Sequence, residues 1–134
     1  MKKIYAVYNG SFNYLEDIKI SPLSRAYTFS DSVYEVIPFF NFTAIAYKKH
    51  IQRLQNSCNA LGISINIEAI SSEITSLIKN SRLENGYIYY QISRGIDALR
   101  SHMYEDSLDE ETFGYAVEHN FHPQTLKVSL CEDI

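Results

Sequence analysis

An α+β domain, in which one antiparallel β-sheet carries two α-helices on one of its faces, is the fold class that the sequence predicts. Three observations predict it. Apolar residues alternate with period two toward both ends of the chain, two central stretches change to helical spacing, and the later period-two runs are separated by hairpin-length connections.

In chain order, "KIYAVYN" sets Ile4, Ala6 and Tyr8 against Tyr5 and Val7 and reaches Asn9-Gly10, a dipeptide that tolerates positive φ, so a hairpin begins here. "SVYEVIPFF" predicts a strand from about 33 to 40, with Val33, Glu35, Ile37 and Phe39 on one face and Tyr34, Val36 and Phe40 on the other. Pro38 cannot donate to a ladder, which points to an edge or a bulge. In "TAIAYKKHIQRLQNSCNALG" the period becomes helical through Ile51, Leu54, Cys58 and Leu61, and Gly62 supplies a stop. A second helix follows in "NIEAISSEITSLIKNSRL", with Ile67, Ile70, Ile74, Leu77 and Ile78 on one side. Glu68 in its first turn and Lys79 in its last suit the helix dipole. "GYIYYQISRG" returns to period two, and "TFGYAVEH" and "TLKVSLCE" repeat it, giving three further strands. Eleven tyrosines and no tryptophan fit this pattern, since a flat amphipathic ring suits a half-buried pleated surface.

The 134 residues read as a single domain, 1–134, because compact domains commonly reach about 100 to 150 residues. With 46% hydrophobic and 21% charged residues the chain has the composition of a folded globule rather than a disordered one. A net charge of −4 gives no long-range attraction to phosphate backbones or anionic lipid, so neither nucleic acid nor a membrane is expected as a partner. The apolar run after Lys2 and Lys3 is broken by Tyr8, Asn9 and Gly10 before a signal peptide forms, and no segment has the roughly 18 apolar residues of a membrane span. Cys58 and Cys131 make neither a metal cluster nor a disulfide framework, and a cytoplasmic, reducing location follows as the default expectation.

Four motifs carry more specific information. "SRAYTFSDSVYEV" (24–36) is followed by "HIQRL" (50–54), "YQISRG" (90–95) and then Arg100 and His102. Their order and spacing resemble the N-terminal domain of the fold-type IV (class IV) pyridoxal-phosphate-dependent aminotransferases, a family that includes D-amino acid transaminases, branched-chain aminotransferases and 4-amino-4-deoxychorismate lyase. The resemblance implies that Arg53 grips the 5′-phosphate of pyridoxal 5′-phosphate, a task suited to a permanently charged fork of donors. It implies that Tyr34, Arg100 and His102 form a trap for a substrate α-carboxylate, with Arg100 and His102 delivered across a homodimer interface into the neighbour's site. A carboxylate held on one side of the cofactor plane decides which enantiomer reacts. The Arg-x-His pair is the D-amino acid transaminase form, which makes amino transfer from D-alanine or another D-amino acid to a 2-oxo acid the leading expectation. Arg25 and Arg94 look structural in such relatives. Glu35 reads as an ion-pair partner, His50 as a packing residue and Cys58 as core.

The resemblance also implies what is missing. Catalysis in that family needs a Schiff-base lysine, and none of the seven lysines, Lys2, Lys3, Lys19, Lys48, Lys49, Lys79 and Lys127, stands in the matching context. No catalytic residue is therefore assigned, no metal is expected, and the larger C-terminal domain is expected to be absent or supplied by a separate chain. By itself this chain is expected to be inactive and not to retain the cofactor, because one surface guanidinium gains little against water. Two other readings stay open. One is a fragment of a 4-amino-4-deoxychorismate lyase or branched-chain aminotransferase; the other is a non-catalytic, self-associating remnant. Several departures bear on these: "FSDS" (29–32) replaces the common F-G-D-G, Phe42 stands where glycine is common in the hairpin near Asn41, and the run from Arg94 to Arg100 is one residue longer than in typical D-amino acid transaminases.

Overall fold

A computed structural model describes residues 3–122. It contains a six-stranded antiparallel sheet with two long helices on one face. The first hairpin pairs β1 (Tyr5–Tyr8) with β2 (Ser11–Tyr14). A short helix, α1 (Arg25–Phe29), then leads into the longest strand, β3 (Ser32–Phe40), which turns tightly into β4 (Thr43–Ala44). Helices α2 (Tyr47–Leu61) and α3 (Ile67–Ser81) follow, and β5 (Gly86–Ser93) and β6 (Glu111–Glu118) complete the sheet. The strand order is β2-β1-β6-β5-β3-β4.

The period-two patterns sort the two faces as expected. Ile37 and Phe39 of β3, Ile88, Tyr90 and Ile92 of β5, and Val7 of β1 point toward the helices and are buried against Leu54 and Cys58 of α2 and Ile70, Ile74 and Leu77 of α3. The opposite face carries Tyr34, Val36 and Phe40, and among the described residues neither α2 nor α3 packs its core residues against it. Because β4 covers only Phe39 and Phe40, most of β3 is an edge strand, which accommodates Pro38.

Helix boundaries follow their caps. The Asn66 side chain accepts from the amides of Glu68 and Ala69 at the start of α3. At the end of α2, Gly62 takes φ +65° and its amide bonds Asn59 O, while the Ile63 amide bonds Cys58 O, a Schellman closure. This closure corrects one detail of the helical pattern. Leu61 is exposed, and Ile63, just past the reversal, fills the core position instead. The short α1 and β4 leave no trace in the periodicity. The strand expected at 125–132, together with Cys131, lies outside the described residues.

Two departures seen in the sequence have conformational consequences. Ser30, in the first glycine position of the F-G-D-G pattern, adopts φ +53° and ends α1. Asn41 and Phe42 form the two-residue β3–β4 turn at φ +47° and +59°. Left-handed backbone suits asparagine but costs a bulky residue about 1–2 kcal/mol. Phe42→Gly is accordingly expected to stabilise the protein by about 1 kcal/mol, read as a higher midpoint in thermal unfolding.

Candidate functional site

The strand β3 places neighbouring residues on opposite faces, and Tyr34 and Glu35 use this in different ways. Tyr34 emerges on the open face, where its ring stacks on Tyr89 of β5 at 5.6 Å, and Tyr89 stacks in turn on Tyr115 of β6 at 5.2 Å. The phenol of Tyr89 is pushed up, first by burial and then by Tyr115 and Tyr34, so it stays uncharged in neutral solution. Glu35 points to the helix face and is 3% exposed.

Glu35 gathers the functional side of α2. Arg53 donates from Nε to Glu35 Oε1 at 2.5 Å and from Nη2 to Oε2 at 2.7 Å, and His50 Nδ1 lies 2.8 Å from Oε2. An ionised carboxylate only accepts, so His50 carries its proton on Nδ1. Burial raises the Glu35 carboxyl, but the hydrogen bonds from Arg53 and then His50 outweigh it and hold it below the ordinary value. Residues 50 and 53, one helical turn apart, thus meet the same carboxylate. Glu35 behaves as the ion-pair partner that the sequence suggested, and His50 serves it rather than chemistry.

The Arg53 side chain remains 69% exposed. A guanidinium has five N–H donors, of which Glu35 takes two. The outward donors fit an anionic oxygen cluster such as a phosphate, although Glu35 already balances the charge. The Arg53 guanidinium is raised above its ordinary pKa first by the hydrogen bond to Glu35 and its charge, and last by Tyr34.

The segment after β5 is organised by buried arginines. Arg94 donates from Nε to Asp31 Oδ2 at 2.7 Å, and its Nη2 reaches Asp31 Oδ1 at 3.1 Å and the Leu61 carbonyl at 2.8 Å, capping the C-terminus of α2. Arg25 donates from Nε to the same Asp31 Oδ2 at 2.8 Å and from Nη1 to Asp97 at 2.6 Å and the Ser101 carbonyl at 2.9 Å. Gly95 takes φ +132°, and a Cβ there would stand 2.3 Å from the Asp109 carbonyl, so this crossing of the loop admits only glycine. Both arginines are structural, as the sequence suggested. Asp31 and Asp97, which hold them, carry no signal of that role in the sequence pattern.

Arg100 and His102 share one platform. The Arg100 guanidinium lies over the Phe29 ring at 4.3 Å and the His102 ring meets its edge at 5.4 Å, with Arg25 on the same ring at 4.5 Å. Since Arg25 also holds the carbonyl of Ser101, the Arg-x-His pair is fixed at its middle residue. Both side chains are exposed. Among the described residues no hydrogen bond, ion pair or ring contact joins Arg100 or His102 to Tyr34 or Arg53 of the same chain. The structure therefore joins Arg100 with His102 on Phe29, and Arg53 with His50 on Glu35, while Tyr34 stacks on Tyr89. Of the lysines, Lys3 pairs with Glu16, and Lys19, Lys48, Lys49 and Lys79 are exposed. Among the described residues no cluster of three metal-binding side chains occurs, and no helix is long and apolar enough to cross a membrane.

Comparison with known proteins bears on this geometry. A family model described as amino-transferase class IV matches residues 32–133. A D-alanine aminotransferase of Staphylococcus epidermidis is 34% identical over 106 residues, which are 78% of this chain and 36% of that protein. The chain thus spans well under half the length of that relative. Among solved structures, a T.th. branched-chain amino acid aminotransferase complexed with N-(5′-phosphopyridoxyl)-L-glutamate superposes with a TM-score of 0.76 at 25% identity, over 89% of this chain and 42% of that one. The 4-amino-4-deoxychorismate lyase of Pseudomonas aeruginosa gives 0.75 at 18% identity, over 88% and 41%, a likeness of fold.

Asp31 generates a prediction. Burial raises its carboxyl, but hydrogen bonds from Arg94 and then Arg25 outweigh this and lower its pKa below the ordinary 3.8. A carboxyl depressed in the folded state adds stability above the unfolded pKa and loses it as pH falls through the folded one. Asp31→Asn is expected to lower stability at pH 7 by about 3 kcal/mol, because two buried guanidiniums lose their shared partner. Denaturant titrations should also show a shallower loss of stability below about pH 5 than in the parent, with Glu35 supplying what remains.

Proposed function

We propose, since this chain belongs to the amino-transferase class IV family, that it serves as the smaller, substrate-orienting part of a D-amino acid aminotransferase, acting on D-alanine or a similar D-amino acid and a 2-oxo acid. The observation that carries this reading is the pairing at β3. Tyr34 and Glu35 are consecutive on one strand, Glu35 holds Arg53 in a two-pronged grip that leaves its outward donors free, and the Tyr34 phenol stands exposed at the neighbouring position.

In this reading Arg53 would hold the phosphate of pyridoxal 5′-phosphate with the donors that Glu35 leaves free. When bound, that group supplies the electron-withdrawing ring that amino transfer requires. Tyr34 would donate to one oxygen of a substrate carboxylate. Arg100 and His102 would grip the carboxylate in the site of a second copy, and their separation from Tyr34 within one chain supports that crossing. The Phe29 platform keeps the guanidinium flat and the imidazole upright, so the pair approaches the partner as one unit. A homodimer is part of this proposal, as is a cytoplasmic setting in which the buried Cys58 thiol, pushed up to about 11 by burial, stays reduced.

No described lysine contacts Tyr34, Arg53, Arg100 or His102, so proton transfer at the substrate carbon has no agent among them. We infer that the chain does not turn over by itself and that the remaining part of such an enzyme completes it. The name of the staphylococcal relative favours D-alanine over the branched-chain and lyase readings.

The test is complementation. Mixed with pyridoxal 5′-phosphate, D-alanine and 2-oxoglutarate, the chain alone is expected to form no pyruvate, and turnover would overturn the reading. Co-expressed with the portion of the S. epidermidis enzyme that follows the matched region, it should produce pyruvate from D-alanine and little product from L-leucine. In that complex Arg100→Ala is expected to raise the KM for D-alanine about ten-fold or more, the loss of a charge-assisted grip, without shifting the melting temperature. Light scattering of the chain is expected to give twice its 15.5 kDa mass.

A further inference from the structure

On the open face, between the first hairpin and β6, lies a cavity of about 370 Å³ that none of the residues assigned above lines. Its walls are apolar, formed by Leu15, Ile18, Ile20, Tyr27 and Phe113, and its floor is polar. At the floor sits Glu111, 6% exposed. Its Oε1 accepts from the Tyr8 hydroxyl at 2.6 Å, and its Oε2 accepts from Ser93 at 2.8 Å and from Ser24. Burial first, and then Glu111, push the Tyr8 phenol up to about 12, so it remains a neutral donor.

The charge count in this region is uneven. Two buried guanidiniums, Arg25 and Arg94, are taken by Asp31 and Asp97. Glu111 has hydroxyl partners only, and no ion pair reaches it among the described residues. A buried carboxylate without a cation is costly, and its three hydroxyl donors leave one of its four lone-pair sites open, on Oε1.

We propose that this cavity binds a small primary amine: an ammonium group that pairs with Glu111, carried on a compact apolar body that fills the space between Ile18, Ile20 and Phe113. Size and lining agree with a ligand of that kind, since pockets of about 300 Å³ and more accept small organic molecules through apolar walls and a few convergent polar groups. An anionic ligand would meet an uncompensated carboxylate. A neutral one would leave the charge unpaired. The inference does not depend on the aminotransferase reading, because its test needs neither cofactor nor turnover.

The test uses the full chain and three probes that share a phenylethyl body: 2-phenylethylamine, 2-phenylethanol and 3-phenylpropionate. Calorimetric titration at neutral pH is expected to show the amine binding about ten-fold or more tightly than the alcohol, with no binding of the acid. Backbone amide shifts should concentrate at Tyr8, Ile18, Gln91, Glu111 and Phe113. Glu111→Gln is expected to abolish the preference of amine over alcohol while thermal melting verifies the fold. Ile20→Trp, at a position 55% exposed, should weaken amine and alcohol alike by narrowing the mouth. Equal affinity of amine and alcohol, shifts elsewhere on the protein, undiminished amine binding by Glu111→Gln, or no binding of any probe would overturn the proposal.

Discussion

The Asp31 carboxylate accepts hydrogen bonds from two guanidiniums, Arg25 from the helix just before it and Arg94 from 63 positions further along the chain, and the arrangement of the loops around β3 depends on that junction. Arg94 brings the end of β5 and, through the Leu61 carbonyl, the C-terminus of α2. Arg25 brings α1 and, through Asp97 and the Ser101 carbonyl, the long segment that follows β5. Buried ion pairs contribute little net stability compared with apolar packing, because desolvation offsets attraction. What they do supply is direction: each guanidinium must find its carboxylate, and only one course of the chain between Arg94 and His102 satisfies both.

That junction separates the arginines into two kinds. Arg25 and Arg94 have their donors turned inward and are spent on the fold. Arg53 has one side of its fork on Glu35 and the other free, and Arg100 rests on an aromatic face with no carboxylate partner among the described residues. A cation on a ring gives up about 0.5–1 kcal/mol when it leaves an exposed platform, far less than a buried ion pair would. Arg100 is thus held in place but available to an anion, whereas Arg94 is not. The availability of a donor, rather than the presence of an arginine, distinguishes a candidate binding residue from a structural one.

This distinction marks the limit of what the sequence made legible. The periodicities at 33–40, 47–61, 67–81 and 86–93 carry the sheet and both helices, because alternation and helical spacing record which side of each element meets the core. The face assignment of Glu35 against Tyr34 came from the same alternation. Elements without a period were hidden: α1 is five residues long and β4 two, and both are fixed by tertiary contacts. The partners of Arg25 and Arg94 were equally hidden, since Asp31 and Arg94 are 63 positions apart and nothing local couples them. Glu111 had a weak signal. It shares its strand face with Phe113, Tyr115 and Val117, and an acid in phase with three apolar side chains signals a buried charge that needs an explanation.

The two faces of the sheet have consequently taken different tasks. The helix side is closed mainly by aliphatic packing, and Glu35 meets α2 at its margin. Across the open side a single cross-strand row runs from Tyr8 through Phe113 and Gln91 to Tyr34. At its β3 end Glu35, next in sequence to Tyr34, holds the Arg53 guanidinium, and at its β1 end Tyr8 donates to the Glu111 carboxylate. Between them stand Phe113 and the uncharged Gln91 amide, and in the adjacent row the stacked rings of Tyr89 and Tyr115, whose phenols are raised, chiefly by burial. The Arg53 charge is balanced where it stands by Glu35, whereas Glu111 has hydroxyl partners only among the described residues, and it is the sheet's register, set by the core on the far side, that holds these two ends apart.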